Sequence, residues 1–175
     1  MKYVICDIDS TMSDHWKRIR RNTVPEWPNG VINDRAWSRE EVLQDKLLPH
    51  CHDILWGLET SGFHVRYLTA RGWTHARRIT IDQLTEWGVP NPSDVMFTSN
   101  LASKIEVITP EICNYYIDDF MTGQENNIGT FRKNVAEAIQ NMGIKVIVFR
   151  NDWLDVLEQI NIYEKRDKPI LSDEI

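Results

Sequence analysis

Lys2-Tyr3-Val4-Ile5-Cys6-Asp7-Ile8-Asp9-Ser10-Thr11 is the stretch that decides the fold. Tyr3 to Cys6 are apolar and read as a short buried strand. The strand runs directly into two carboxylates at i and i+2. A desolvated carboxylate is costly unless something compensates it, so paired acids at the end of a buried strand imply a cation or a proton-transfer task. In open α/β sheets the carboxyl ends of the strands are where ligands bind.

Outward from this strand, the chain alternates strands with helices. Val65–Leu68 is a second predicted strand and Val95–Phe97 a third. Tyr115–Ile117 is a fourth, again ending in acids (Asp118-Asp119), and Lys145–Phe149 a fifth. Helices are expected over Pro49–Thr60, Thr74–Trp87, Ser103–Ile108, Thr130–Met142 and Asp152–Ile160, with Gly62, Gly88 and Gly143 as stops. Such alternation predicts an α/β fold with a mostly parallel five-stranded sheet covered on both faces. Met12–Pro49 reads as irregular. It holds the turn-rich Pro25-Glu26-Trp27-Pro28-Asn29-Gly30 and a capping box, Ser38-Arg39-Glu40-Glu41, opening a short helix. Glu164–Ile175 is charged and aperiodic and is expected to be a frayed tail.

The 175 residues fit one domain, and 42% apolar with 26% charged residues is ordinary for a globular protein. No apolar run is long enough to span a bilayer, and the start lacks a signal-peptide pattern. The cysteines Cys6, Cys51 and Cys113 have no metal-ligand spacing and read as reduced thiols, which points to the cytoplasm. A net charge of −6 argues against a broad nucleic-acid-binding surface. It leaves room for the local basic run Lys17-Arg18-Ile19-Arg20-Arg21, either a binding patch or a solvated helix face.

The expected strand ends collect one kind of chemistry. The first delivers Asp7 and Asp9, the second Thr69, the fourth Asp118 and Asp119, and Lys104 begins the helix before the fourth. Carboxylates crowded into one pocket repel each other. A hard divalent cation such as Mg²⁺ resolves this, because it prefers oxygen ligands. A hydroxyl and a lysine beside a metal suit a phosphoryl group. In this ordered set Asp7-Ile8-Asp9-Ser10-Thr11 resembles the D-x-D-x-T/S motif of the haloacid dehalogenase (HAD) superfamily. Tyr67-Leu68-Thr69, Lys104 and Tyr116-Ile117-Asp118-Asp119 resemble its second, third and fourth motifs.

The resemblance implies a HAD-like Rossmannoid three-layer sandwich in residues 1–162. Its core would be 1–13 and 50–162, its small cap 14–49, and 163–175 a charged tail. It further implies that Asp7 is the nucleophile and forms an aspartyl-phosphate, and that Asp9 is the general acid and then the base for water. Mg²⁺ would be held by Asp7, the Asp9 carbonyl, Asp118 and Asp119. Thr69, Ala70, Arg71 and Lys104 would bind the phosphoryl group. Ser10 departs from the glycine common at its position, where a left-handed backbone would strain a serine.

Leu68-Thr69-Ala70-Arg71-Gly72, Glu86-Trp87-Gly88-Val89-Pro90 and Tyr116-Ile117-Asp118-Asp119 are more specifically similar to the phosphatase domain of bacteriophage polynucleotide kinase-phosphatases, and to small nucleotide phosphatases. That similarity implies a nucleotide or a nucleic acid 3′-phosphate as substrate. No P-loop accompanies it. Phosphatase action on another metabolite, such as a sugar phosphate, and a non-catalytic HAD-fold binding role are the alternatives. In the cap, Trp16, Trp27 and Trp37 either stack on a base or form the cap's own core. His15, Trp16 and Arg18 are the candidate substrate contacts there. The sequence leaves monomer and homo-oligomer both open.

Overall fold

The computed structural model describes residues 1–122 and 129–167. The central sheet is parallel throughout, in the order β5 (Val95–Phe97), β4 (Phe63–Thr69), β1 (Lys2–Cys6), β6 (Tyr115–Asp118), β9 (Lys145–Val148). The opening strand is therefore central. The chain builds outward from it on one side through β4 and β5, then crosses to the other side for β6 and β9. The strand order reverses at β1, so its carboxyl end is the crevice in which such sheets bind ligands.

Alternation along β1 explains the layers. Val4 and Cys6 point into one apolar layer with Tyr67, Ile117 and Ile147. That layer is closed by α3 (Cys51–Thr60), through Ile54, Leu55 and Leu58, and by α7 (Trp153–Asp167), through Trp153, Val156 and Ile160. Ile5 points the other way, with Leu68 and Tyr116, against Val135 and Ile139 of α6 (Lys133–Asn141). α4 (Ala76–Trp87) ends on Gly88 at φ +67°, a left-handed stop that favours glycine. α5 (Lys104–Val107) is a single turn.

Residues 14–49 are more ordered than the sequence suggests. They hold α1 (Trp16–Arg21), a hairpin of β2 (Thr23–Val24) and β3 (Val31–Ile32), a 3₁₀ turn at Asp34–Trp37 and α2 (Arg39–Val42). Ser38 caps α2 as the sequence predicts, accepting from the Glu41 N–H at 3.3 Å. Two other expectations shift. The helix expected from Thr130 begins at Lys133, because Thr130–Phe131 forms a strand (β8) paired with Met121–Thr122 (β7). The last helix does not end near Ile160 but runs to Asp167. Glu164 on that extra stretch accepts from Lys2 Nζ and from the Tyr115 hydroxyl at 2.7 Å. The remainder of the expected tail, 168–175, lies outside the described residues. Among them, no helix is long and apolar enough to cross a membrane.

Candidate active site

The loop after β1 is built to hold its acids still. The Asp7 N–H continues the sheet by donating to the Ile117 carbonyl at 2.9 Å. Ser10 takes φ +63°, the left-handed turn anticipated there, and its hydroxyl meets His15 Nδ1 at 2.6 Å. The indole N–H of buried Trp153 donates to the Thr11 carbonyl at 2.9 Å, pinning the loop to the start of α7. The Thr11 hydroxyl donates to Asp7 Oδ2 at 3.0 Å and accepts from the Asp119 N–H at 3.1 Å, so it ties the first acidic motif to the last.

Lys104 is the hub on the core side. Its ammonium, 2% exposed, donates to Asp7 Oδ1 at 2.7 Å and to Asp118 Oδ2 at 2.8 Å. The other Asp118 oxygen accepts from the Phe120 N–H at 2.8 Å, and the Tyr116 hydroxyl also donates to this carboxylate. Burial and the neighbouring Asp118 charge push the Asp7 carboxyl well up from the usual range, with Lys104 opposing. Burial, Asp118 and Asp7 likewise push Asp119 up, to about 10. Against its own desolvation, Lys104 is held firmly protonated by the two carboxylates. Oxygens of Asp7, Asp118 and Asp119 lie within 4.8 Å of one another. A set of three carboxylates in which Asp7 and Asp119 are pushed up is short of positive charge, and its hard oxygens fit Mg²⁺.

Asp9 has the opposite surroundings. Arg71 grips it with both arms of its guanidinium, Nε to Oδ2 at 2.9 Å and Nη2 to Oδ1 at 2.8 Å. The remaining Arg71 nitrogen, Nη1, donates to the Thr80 hydroxyl of α4 at 3.0 Å. Arg18 adds a contact to Asp9 Oδ1 at 3.4 Å. Burial would raise the Asp9 pKa, but Arg71, Arg18 and His15 outweigh it and hold the carboxyl far below the usual carboxylate range.

The structure brings Asp7, Asp9, Thr69, Ala70, Arg71, Lys104, Asp118, Asp119 and His15 around one cavity of about 200 Å³. Thr69, at the end of β4, is 1% exposed. Arg71 is expected to bind phosphate and here forks onto Asp9 instead. Trp16 stands apart, on the wall of a larger neighbouring cavity of about 620 Å³ that shares Asp119 and Met121 with the first. Its ring packs edge-on against Trp27 at 5.4 Å, and both rings stay half-buried. Trp37 does line the smaller cavity, beside Trp73 at 6.3 Å between ring centroids. Arg18 is not on a solvated face at all but 1% exposed inside the cap. Sequence reasoning missed Asp45, which meets Arg18 within residues 14–49, and Trp73, which follows β4 and lines the cavity beside Trp37. The Tyr116 hydroxyl is a further contact not assigned from the sequence, although Tyr116 stands two residues before Asp118 on the same strand and so shares its face.

No protein-family model matches the sequence, and no curated protein matches it. Solved structures do. A class C acid phosphatase from Bacillus anthracis superposes with a TM-score of 0.56 at 19% identity, over 97% of this chain and 81% of its own. A haloacid dehalogenase-like family hydrolase from Streptococcus pneumoniae gives 0.58 at 12% identity, over 95% and 99%. A hydrolase from Streptococcus pneumoniae TIGR4 gives 0.54 at 13%, over 92% and 100%. The fold is HAD-like. At these identities the likeness establishes architecture, and the chemistry has to be argued from the side chains.

Proposed function

We propose that this chain is a Mg²⁺-dependent phosphomonoesterase that works through an aspartyl-phosphate on Asp7. The observation that carries the reading is the Asp7–Lys104–Asp118 bridge, with Thr69 and Asp119 beside it at the switch point of a HAD-like sheet. Asp7 would hold Mg²⁺ with Asp118, Asp119 and the Asp9 carbonyl, and the ion supplies charge neutralisation for the phosphoryl group when bound. Lys104 fixes the Asp7 carboxylate and adds a positive charge next to the phosphoryl oxygens, where preorganised charge counts most. Thr69 offers its hydroxyl from the adjoining strand. An Asp7 oxygen attacks phosphorus, and the bond to the leaving oxygen breaks with its electron pair on that oxygen. That oxygen takes up a proton from water, because the Asp9 that the resemblance makes the general acid is held ionised here and has none to give. Water then attacks the aspartyl-phosphate, its proton passes to Asp9, and the bond from phosphorus to the Asp7 oxygen breaks. Arg71 keeps Asp9 ionised and free to accept that proton while lowering its basicity.

The leaving group is proposed to be nucleotide-like, either a mononucleotide or a nucleic acid 3′ end. The Trp37–Trp73 pair at the cavity supports this, since aromatic faces accept bases. The small volume, about 200 Å³, favours the second reading, a compact leaving group such as a sugar. Three buried, unpaired cysteines fit a reducing compartment, and we place the enzyme in the cytoplasm.

Hydrolysis of p-nitrophenyl phosphate tests the reaction. Turnover should require Mg²⁺, stop with EDTA and vanish in Asp7→Asn, and activity surviving either treatment would rule the mechanism out. A panel of mononucleotides, 3′-phosphorylated oligonucleotides and sugar phosphates tests the leaving group. The nucleotide reading fails if the sugar phosphates have the highest kcat/KM.

A further inference from the structure

Asp9 is held from two sides. Arg71 belongs to the core and is anchored on α4 through Thr80. Arg18 belongs to the cap and is anchored there by three groups. Its Nη1 donates to the Ala36 carbonyl at 3.1 Å, its Nε faces Asp45 Oδ2 at 3.3 Å, and its guanidinium lies 5.5 Å from the centroid of the Trp37 ring. Its remaining arm, Nη2, reaches Asp9 Oδ1 at 3.4 Å. A guanidinium so deeply buried must have its charge answered, and it lies between Asp9 and Asp45, the Asp45 oxygen standing at 3.3 Å but outside hydrogen-bond geometry. Asp45 is in turn fixed to the core, because its carbonyl accepts from the Trp87 indole on α4 at 3.1 Å. A continuous line of contacts therefore runs from α4 through the cap to the acid at the reaction centre.

We infer that Arg18, backed by Asp45, is a positioning pair by which the folded cap sets the direction of the Asp9 carboxylate. The inference rests on the phosphomonoesterase reading and adds to it that the core alone does not aim Asp9. Arg71 fixes the carboxylate along its own fork, and Arg18 fixes rotation about that fork from the cap side. The step that depends most on this aim is the second one. There the oxygen of water bonds to phosphorus, its proton passes to Asp9, and the bond from phosphorus to the Asp7 oxygen breaks, with its electron pair returning to Asp7. The first step on an aryl phosphate needs little help from Asp9, because p-nitrophenolate leaves without a proton.

Rapid mixing of the Mg²⁺-loaded protein with p-nitrophenyl phosphate separates the two steps. Arg18→Met is expected to release nearly one p-nitrophenolate per site in a burst, then turn over about 10- to 100-fold more slowly than the parent, a part of the ~10²–10⁴ that acid–base groups supply. kcat and KM should fall together with kcat/KM little changed, because the acylphosphate then accumulates. Arg18→Lys keeps the charge without the fork, and Asp45→Asn keeps Arg18 without its backing, so both should show a weaker form of the same signature. A folded Arg18→Met with parental kcat overturns the inference. So does a loss in which kcat and kcat/KM fall equally and no burst appears. Should Arg18→Met not fold, the absence of a burst in both milder variants overturns it. A parent protein that releases no p-nitrophenolate at all defeats the phosphomonoesterase reading, and the positioning role falls with it.

Discussion

Asp7 and Asp9 stand two residues apart on one loop, yet the protein has given them opposite neighbourhoods. Asp7 shares one lysine with a second carboxylate, and burial with the Asp118 charge raises its pKa. Asp9 faces two arginines, Arg71 by both arms and Arg18 shared with Asp45, and is held ionised. One side of the site is poor in positive charge and the other is rich in it. Environments that push neighbouring acids apart assign them different tasks. The proposed metal and nucleophile lie on the charge-poor side, and the proposed proton acceptor lies on the charge-rich side, where the arginines keep it ionised at the expense of its basicity.

Breaking each side in turn should give unequal losses. Asp7→Asn removes the carboxylate proposed to attack phosphorus and should lower kcat at least about 10³-fold, on the scale of other nucleophile removals. Asp9→Asn should cost about 10²–10⁴-fold, and the aspartyl-phosphate should become trappable by acid quench. If Asp9→Asn were as inactive as Asp7→Asn with no trapped intermediate, the division of labour would be wrong.

Lys104→Met attacks the charge-poor side through stability. It leaves buried Asp7 and Asp118 facing each other, and removing one partner of a buried pair typically costs about 3–5 kcal/mol. Added Mg²⁺ should restore part of that loss, so the Mg²⁺-induced rise in Tm should be larger in the variant than in the parent. An equal rise in both would mean that the ion does not sit between these carboxylates.

The sequence displays one side of this comparison far better than the other. Strand β1, the acid pairs and Lys104 are legible because each lies on or beside a strand whose apolar run is obvious, and a parallel sheet must bring such ends together. Nothing comparable marks Arg18 or Asp45. Helix α1 is only 6 residues long, too short for periodicity to say which of its basic residues points inward, and Arg18 is buried by tertiary contacts with Ala36, Trp37 and Asp45. The end of α7 is hidden for a similar reason. Glu164 looks like part of a charged tail until Lys2 and Tyr115, distant in sequence, meet it. Thr130 and Phe131 read as the start of a helix because their strand partners, Met121 and Thr122, stand eight to ten residues earlier in the chain and only tertiary pairing reveals them.

Asp45 sharpens the comparison through pH. Burial pushes its carboxyl up to about 7, with Arg18 opposing. A group with a folded pKa above its unfolded value, about 3.9 for an aspartate, contributes stability at low pH that is lost as pH rises through 7. Asp9 does the reverse, since its depressed pKa gives stability at neutral pH that is lost in acid. Asp45→Asn mimics the neutral form. The Tm difference between the variant and the parent should therefore become more positive from pH 5 to about pH 7 and level off by pH 8, by no more than about 3 kcal/mol in free-energy terms. A difference that is flat across this range would mean that Asp45 is ionised throughout, and that Arg18 compensates it fully.

The smallest expected effect lies at Ser10, the hinge between the two carboxylates and the cap. Its φ of +63° is a left-handed conformation that favours glycine. Ser10→Gly should therefore relieve backbone strain, while Gly costs roughly 0.4–1 kcal/mol through the looser unfolded chain. It also removes the hydroxyl that meets His15 at 2.6 Å, a contact whose net worth is about 1 kcal/mol. These contributions oppose one another, so urea unfolding should show a change of no more than about 1 kcal/mol. The informative quantity is activity. His15 starts α1, the helix that carries Arg18. If the Ser10–His15 contact orients that helix, kcat in Ser10→Gly should fall severalfold with unchanged stability. An unchanged kcat would show that Ala36, Asp45 and Trp37 hold Arg18 without help from the loop.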